Sequence, residues 1–133
     1  MLKKILIALF IFIIIGAGTA IYLWNKPHTK VEDVMGININ APELAKQYQA
    51  NEKAADTKYL NKVMEVSGTV SETDKNQDGG TMIVLETGDP IAVIQCGMRE
   101  KAITAAKGQK VVIKGFCSGN GITGVTLTDC IIK

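Results

Sequence analysis

Residues 5–24, ILIALFIFIIIGAGTAIYLW, run without a single charged side chain. At 1.5 Å per residue such a run reaches about 30 Å, the thickness of the hydrocarbon core of a bilayer. Lys3 and Lys4 precede it, and basic residues stay on the cytoplasmic side of a span. Tyr22 and Trp24 close it, where amphipathic rings favour the headgroup level. The expectation is a signal anchor in the cytoplasmic membrane of a bacterium, with residues 1–4 inside and everything after residue 24 outside. A cleaved signal peptide is the competing reading, because Gly18-Thr19-Ala20 is an acceptable small-residue cleavage site. The apolar continuation through Ile21, Tyr22, Leu23 and Trp24 favours the uncleaved span. The first cysteine is Cys96, too distant for a lipid-modified cysteine to follow the run.

What remains has room for one domain. Residues 25–39, NKPHTKVEDVMGINI, read as a short polar stalk. A helix is expected over 40–60. Asn40 stands where a cap is needed, Pro42 suits the first turn, and Glu43 has capping-box spacing. Leu44, Tyr48, Ala55 and Tyr59 fall on one face of a 3.6-residue period, with Lys46, Gln47, Glu52, Lys53 and Asp56 elsewhere. The helix should therefore be half-buried against whatever follows.

Residues 61–133 read as strands. Val66, Gly68 and Val70 alternate with polar residues, and the turn DKNQDGG at 74–80 follows. Met82–Glu86 and Ile91–Cys96 are β-rich runs split by Gly88-Asp89-Pro90. Residues 99–107, REKAITAAK, have helical composition and stop at Gly108. Val111–Cys117 and Val125–Ile132 flank Gly119-Asn120-Gly121 as a last hairpin. Three strands, a helix, then two strands is the order of an OB-fold, a five-stranded Greek-key barrel with a helix between its third and fourth strands. Gly68 and Gly115 suit strands that must bend.

The residues Tyr59-x-x-Lys62, Glu65-Val66-x-Gly68-x-Val70, Gly108-x-x-Val111-x-Ile113-x-Gly115-x-Cys117-x-Gly119 and Val125-x-Leu127-x-x-Cys130-x-Ile132 resemble the opening and closing strands of the tRNA_anti-like OB-fold family. The resemblance covers roughly residues 44–133. It implies the OB fold, descent from nucleic-acid-binding domains related to anticodon binders, and an exported protein. Its motifs are structural glycines, valines and cysteines, so it implies little about ligand.

The residues themselves argue against nucleic acid as the partner. Single-strand binding by an OB barrel needs a positive groove and aromatic platforms. From residue 61 onward the only aromatic is Phe116, flanked by core-like positions, and eight basic residues meet eight acidic ones. Beyond the anchor, 13 basic side chains (15 less Lys3 and Lys4) meet 13 acidic ones, whereas phosphate binders carry a basic excess. An envelope protein, a peptide or a carbohydrate is then the expected ligand.

Three further groups merit weighing. Asp74, Asn76 and Asp78 followed by Gly79 match the opening half of a calcium loop, but the twelfth position is Leu85, which cannot coordinate, and Glu86 comes one residue late. Hairpin turns use the same residues, so these three remain a candidate for loose calcium binding only. Outside the cytoplasm the three cysteines can oxidise. If the last hairpin turns near residues 119–122, Cys117 faces about Gly124 and Cys130 about Val111. That puts the two cysteines about 20 Å apart, too far for a disulfide. Cys96 and Cys130, ending the parallel third and fifth barrel strands, are the better pair, against the alternative of three buried thiols. For catalysis, His28 is the only histidine, in the stalk, and no phosphate-binding glycine loop is present. Glu72 and Asp74 lie on a solvated turn. Neither enzyme activity nor a cofactor is expected.

Overall fold

The computed structural model describes residues 1–25 and 30–133. Helix α1, Leu2–Trp24, buries none of its side chains, the state that a lipid-facing helix requires. After it, Val31–Asp33 form a 3₁₀ turn, followed by strand β1 (Ile37–Asn40) and helices α2 (Ala41–Ala50) and α3 (Glu52–Tyr59). Five long strands complete the chain: β2 (Val63–Lys75), β3 (Thr81–Leu85), β4 (Val93–Met98), β5 (Lys110–Asn120) and β6 (Gly124–Ile132).

The sheet order is β1-β2-β3-β4-β6-β5, and β2 also pairs with β5, which closes β2 to β6 into a barrel. Parallel pairing of β4 with β6 is the Greek-key closure that the OB order demands. Strand β2 serves two partners in succession: its first half pairs with β5 and its second half with β3. The edge of β2 that β3 leaves bare is taken by β1, parallel, with Ile37 opposite Met64 and Asn40 opposite Ser67. The sixth strand is thus an addition outside the five-stranded barrel.

Inside, Val66, Val70, Ile83, Leu85, Ile94, Ile113 and Leu127 form the core, with Cys96 and Cys130 among them. One end of the barrel is plugged by the helices. Leu44, Tyr48, Ala55 and Tyr59 are all buried, as their spacing predicts, and Asn40 caps α2 by accepting from the Glu43 amide at 2.8 Å. The helical stretch is nevertheless two helices. Asn51 leaves the helical region, at φ −161° and ψ 96°, and caps α3 by accepting from the Ala54 amide. Gly68 permits the plug: a β-carbon there would meet the Ala41 side chain at 3.0 Å and Leu85 at 3.3 Å.

Three other expectations need correction. Residues 99–107 form no helix between β4 and β5. The carbonyls that a helix would use are taken from the side: Thr81 Oγ1 donates to Lys101 O at 2.7 Å and Thr73 Oγ1 to Ala105 O at 2.8 Å. The stretch read as a stalk, 25–39, is in part packed on the barrel, since Val31 is fully buried and β1 is a strand paired with β2. The last hairpin is shifted as well. Cys117 lies opposite Leu127 and Asn120 opposite Val125, with bulges between Lys114 and Phe116 and between Cys117 and Asn120. Bulges change the pairing count, which turn position alone does not reveal. Cys130 is then three residues along the ladder from Leu127, the partner of Cys117.

Candidate binding face and its relatives

In an OB barrel the ligand face lies across the second and third barrel strands, here β3 and β4. The register defines it. Glu72 of β2, Val84 of β3, Gln95 of β4 and Thr126 of β6 are successive cross-strand neighbours. Asp74, Met82 and Gly97 form the next row. These positions alternate with Ile83, Leu85, Ile94 and Cys96, which enter the core, so the two rows point outward. On β3 and β4 the outward residues are Met82, Val84, Val93, Gln95 and Gly97: none is charged and none is aromatic. The charges bordering them on β2 are the acidic Glu72 and Asp74, both exposed.

At one end of this face stands the turn 76–80. Asn76 closes it with its own side chain, Oδ1 accepting from the Gly80 amide at 2.7 Å, while Asn76 N donates to Gly80 O at 2.8 Å. Asp74 Oδ1 accepts from the Lys75 amide. Of the three oxygen-bearing residues of the candidate calcium loop, Asn76 and Asp74 are thereby engaged with backbone, and Leu85 at the twelfth position is fully buried. Calcium at millimolar levels is expected to leave the melting temperature unchanged. A ligand at 100 times its Kd would add about 2.7 kcal/mol, so a calcium-dependent rise in a thermal melt would overturn this reading.

At the other end are the 121–123 turn and the 86–92 loop, joined where Val93 N donates to Thr123 O and where Gln95 Nε2 donates to Thr123 Oγ1 at 2.8 Å. Asp89 organises the loop. Its carboxylate accepts from the Ile91 amide at 2.9 Å and from Gln49 Nε2 of α2 at 2.8 Å, and these donors hold it below the usual carboxylate range. Ile91 and Ile122 protrude from the two loops.

The aromatic residues beyond the anchor are spent elsewhere. Tyr48 and Tyr59 pack together with ring centroids 6.3 Å apart. Tyr48 Oη contacts Cys117 Sγ at 3.4 Å, and burial followed by that contact raises its pKa. Phe116 is half-buried on β5, opposite Val63 and Thr128. An open groove of about 940 Å³ lies on the β2–β5 flank. Its lysines Lys110 and Lys133 are offset by Glu86 on the same lining, and Lys133 is engaged with Glu65 at 2.9 Å. His28 lies outside the described residues.

The structure brings Cys96 and Cys130 together. Both are fully buried, and hydrogen bonding with the Cys130 thiol, then burial, pushes the Cys96 thiol well above its ordinary range. They stand as free thiols. Sequence reasoning missed Arg99, placed in an expected helix. Its Nε and Nη2 donate to the two carboxylate oxygens of Asp129 at 2.7 and 2.6 Å, and Nη1 donates to Glu32 Oε1 at 2.5 Å. The guanidinium holds Asp129 below the usual carboxylate range. The carboxyl of Glu32 is lowered first by a backbone hydrogen bond and then by Arg99. No local motif announces a contact between residues 67 positions apart.

Among known families, the tRNA_anti-like model matches residues 1–131. The chain belongs to the tRNA_anti-like family. The resemblance carried by its opening and closing strands is thereby shown. Among solved structures, this tRNA_anti-like chain is similar to a "putative nucleic acid-binding lipoprotein" from Klebsiella pneumoniae subsp. pneumoniae MGH 78578. That pair has a TM-score of 0.59 and 15% identity over 74% of this chain and 92% of the other. At that identity the likeness is one of fold. A "putative aspartyl-tRNA synthetase" from Leishmania major Friedlin aligns with a TM-score of 0.44 and 14% identity over 74% of this chain and 21% of the other. No curated protein matches the sequence.

Proposed function

We propose that this tRNA_anti-like chain is a membrane-anchored binding module, its barrel outside the cytoplasm, without catalytic activity of its own. Its ligand is an uncharged or cationic segment of an envelope protein, peptide or carbohydrate lying across β3 and β4. The observation that carries this reading is the face itself. Met82, Val93, Gln95 and Gly97 offer apolar and amide contacts around the buried Val84, bordered by Glu72 and Asp74. Along that border a polyanion meets Glu72 and Asp74, with Lys75 and Lys101 only at the Asp74 end, and it has no ring on which to stack a base.

Anchoring is supported by α1, which is long and apolar enough to cross a membrane, and by the Lys3-Lys4 flank. Protease added to intact spheroplasts should digest the barrel and leave a membrane-embedded N-terminal stub. Protection of the whole chain would reverse the orientation.

Nucleic-acid binding is the second reading, favoured by the descent of the family and by the name of the Klebsiella pneumoniae protein. It requires a different surface from the β3–β4 face, and the β2–β5 groove offers Lys110 and Lys133. Oligonucleotide titration separates the two readings.

A further inference from the structure

Residues 30–36, which lead into β1, are polar in part yet firmly held. Val31 is fully buried, and Glu32 receives Arg99 on its carboxylate and Lys114 Nζ on its backbone carbonyl, the latter at 3.3 Å. Gly36 passes so close to β2 that a β-carbon would stand 3.1 Å from Glu65 N and 2.6 Å from Glu65 Cγ. Beneath this segment lie Glu65 and Lys114, 3.9 Å apart with side chains 10% exposed each. Strand β1 then adds a parallel ladder to β2. Arg99 ties the arrangement to the barrel through Asp129, a residue at φ +53° on the irregular stretch of β6, which its two-pronged contact holds in place.

Two lengths follow. From Asn25, the end of α1, to Val31 there are six peptide steps, which cannot span more than about 22 Å. Arg99 follows β4 and Asp129 falls late in β6, whereas the 86–92 loop and the 121–123 turn precede Val93 and Gly124, paired at the opposite end of the same two parallel strands. Five residues of strand separate the two ends, about 17 Å.

We propose that residues 30–40 are a latched strap that shortens the tether between barrel and anchor and brings it out at the Arg99–Glu32–Asp129 end, so that this end lies on average nearer the bilayer than the Ile91 and Ile122 loops. The pose rests on the membrane-anchored reading; the strap itself does not. A barrel on a free polymer of 15 residues would tumble and present every face in turn. A strapped one turns the Ile91 and Ile122 loops more often toward whatever stands off the membrane.

Hydrogen exchange on the full chain in nanodiscs tests the strap. Amides of residues 37–40 should be protected, and Glu32→Gln or Val31→Asp should speed their exchange about tenfold or more while Ile83 and Ile94 in the core stay protected. Both substitutions lie on the strap, so the barrel retains its own contacts. Exchange at unfolded rates in the unaltered protein would overturn the strap. Fluorophores placed by Lys101→Cys near the latch and by Ile122→Cys at the far turn then read the pose. Energy transfer to a headgroup acceptor should be stronger from the first, and Val31→Asp should erode the difference. Equal transfer from both in the unaltered protein would overturn the pose. Failure of the chain to float with vesicles would instead remove the anchor, and the exchange result would still decide the strap.

Discussion

Replacing Gly124 by alanine is expected to destabilise the barrel by about 3 kcal/mol or more, because overpacking and a strained backbone each cost about 1 to 3 kcal/mol. Gly124 has φ +135° and stands opposite Val93, where β4 and β6 close the sheet. A β-carbon there would collide with the carbonyl oxygen of Val93 and lie 2.8 Å from its nitrogen and 2.9 Å from its carbonyl carbon. All three are backbone atoms, so no rotamer change relieves them. Gly88, at φ +84° with nothing within 4 Å of its would-be β-carbon, isolates the conformational part, and Gly88→Ala should cost only about 1 kcal/mol. Urea unfolding of the two variants checks the prediction. Equal losses would mean that β4 and β6 are not closed at Val93.

The second large effect is a disulfide between Cys96 and Cys130. In protein recovered from an oxidising envelope, unreduced peptide mapping is expected to yield one cross-linked pair containing these two residues. The packing favours it: both thiols are buried in the core, and the Cys130 thiol is in hydrogen-bonding contact with that of Cys96. The bond would close a loop of about 35 residues, worth about 3 to 4 kcal/mol in the chain-entropy account, a large share of the stability of a barrel this size. Cys96→Ala or Cys130→Ala should therefore lower stability more than Cys117→Ala, whose partner is the Tyr48 hydroxyl. Each substitution also leaves a cavity, so the peptide map decides. Three free thiols in envelope material would refute the link.

What the sequence made legible were the features with short-range physics. The Asn40–Pro42–Glu43 cap, the tight turn at 76–80 and the alternation of β2 to β6 are local rules, and the barrel order follows from them. The OB fold was readable for that reason. Features set by partners distant in sequence were not. Residues 99–107 have helical composition, but Thr73 and Thr81 take their carbonyls. Ile37-x-Ile39 alternates over too few residues to announce a strand, and only the bare edge of β2 makes it one. Arg99 became a latch only when the fold placed Glu32 and Asp129 on either side of it. Asn51 is the instructive middle case: a cap residue inside a helical period marks a break, and its signal was present at Asn51 but outweighed by the longer apolar pattern.

The central claim is that the barrel binds something other than a nucleic-acid strand. Titration of the full chain in nanodiscs with fluorescent single-stranded DNA and RNA over a range of salt concentrations tests it most directly. The account predicts no binding tighter than about 100 micromolar at physiological salt, the loose end of nonspecific electrostatic association. Micromolar binding whose affinity falls steeply as salt rises would contradict it and move the ligand to the groove that holds Lys110 and Lys133.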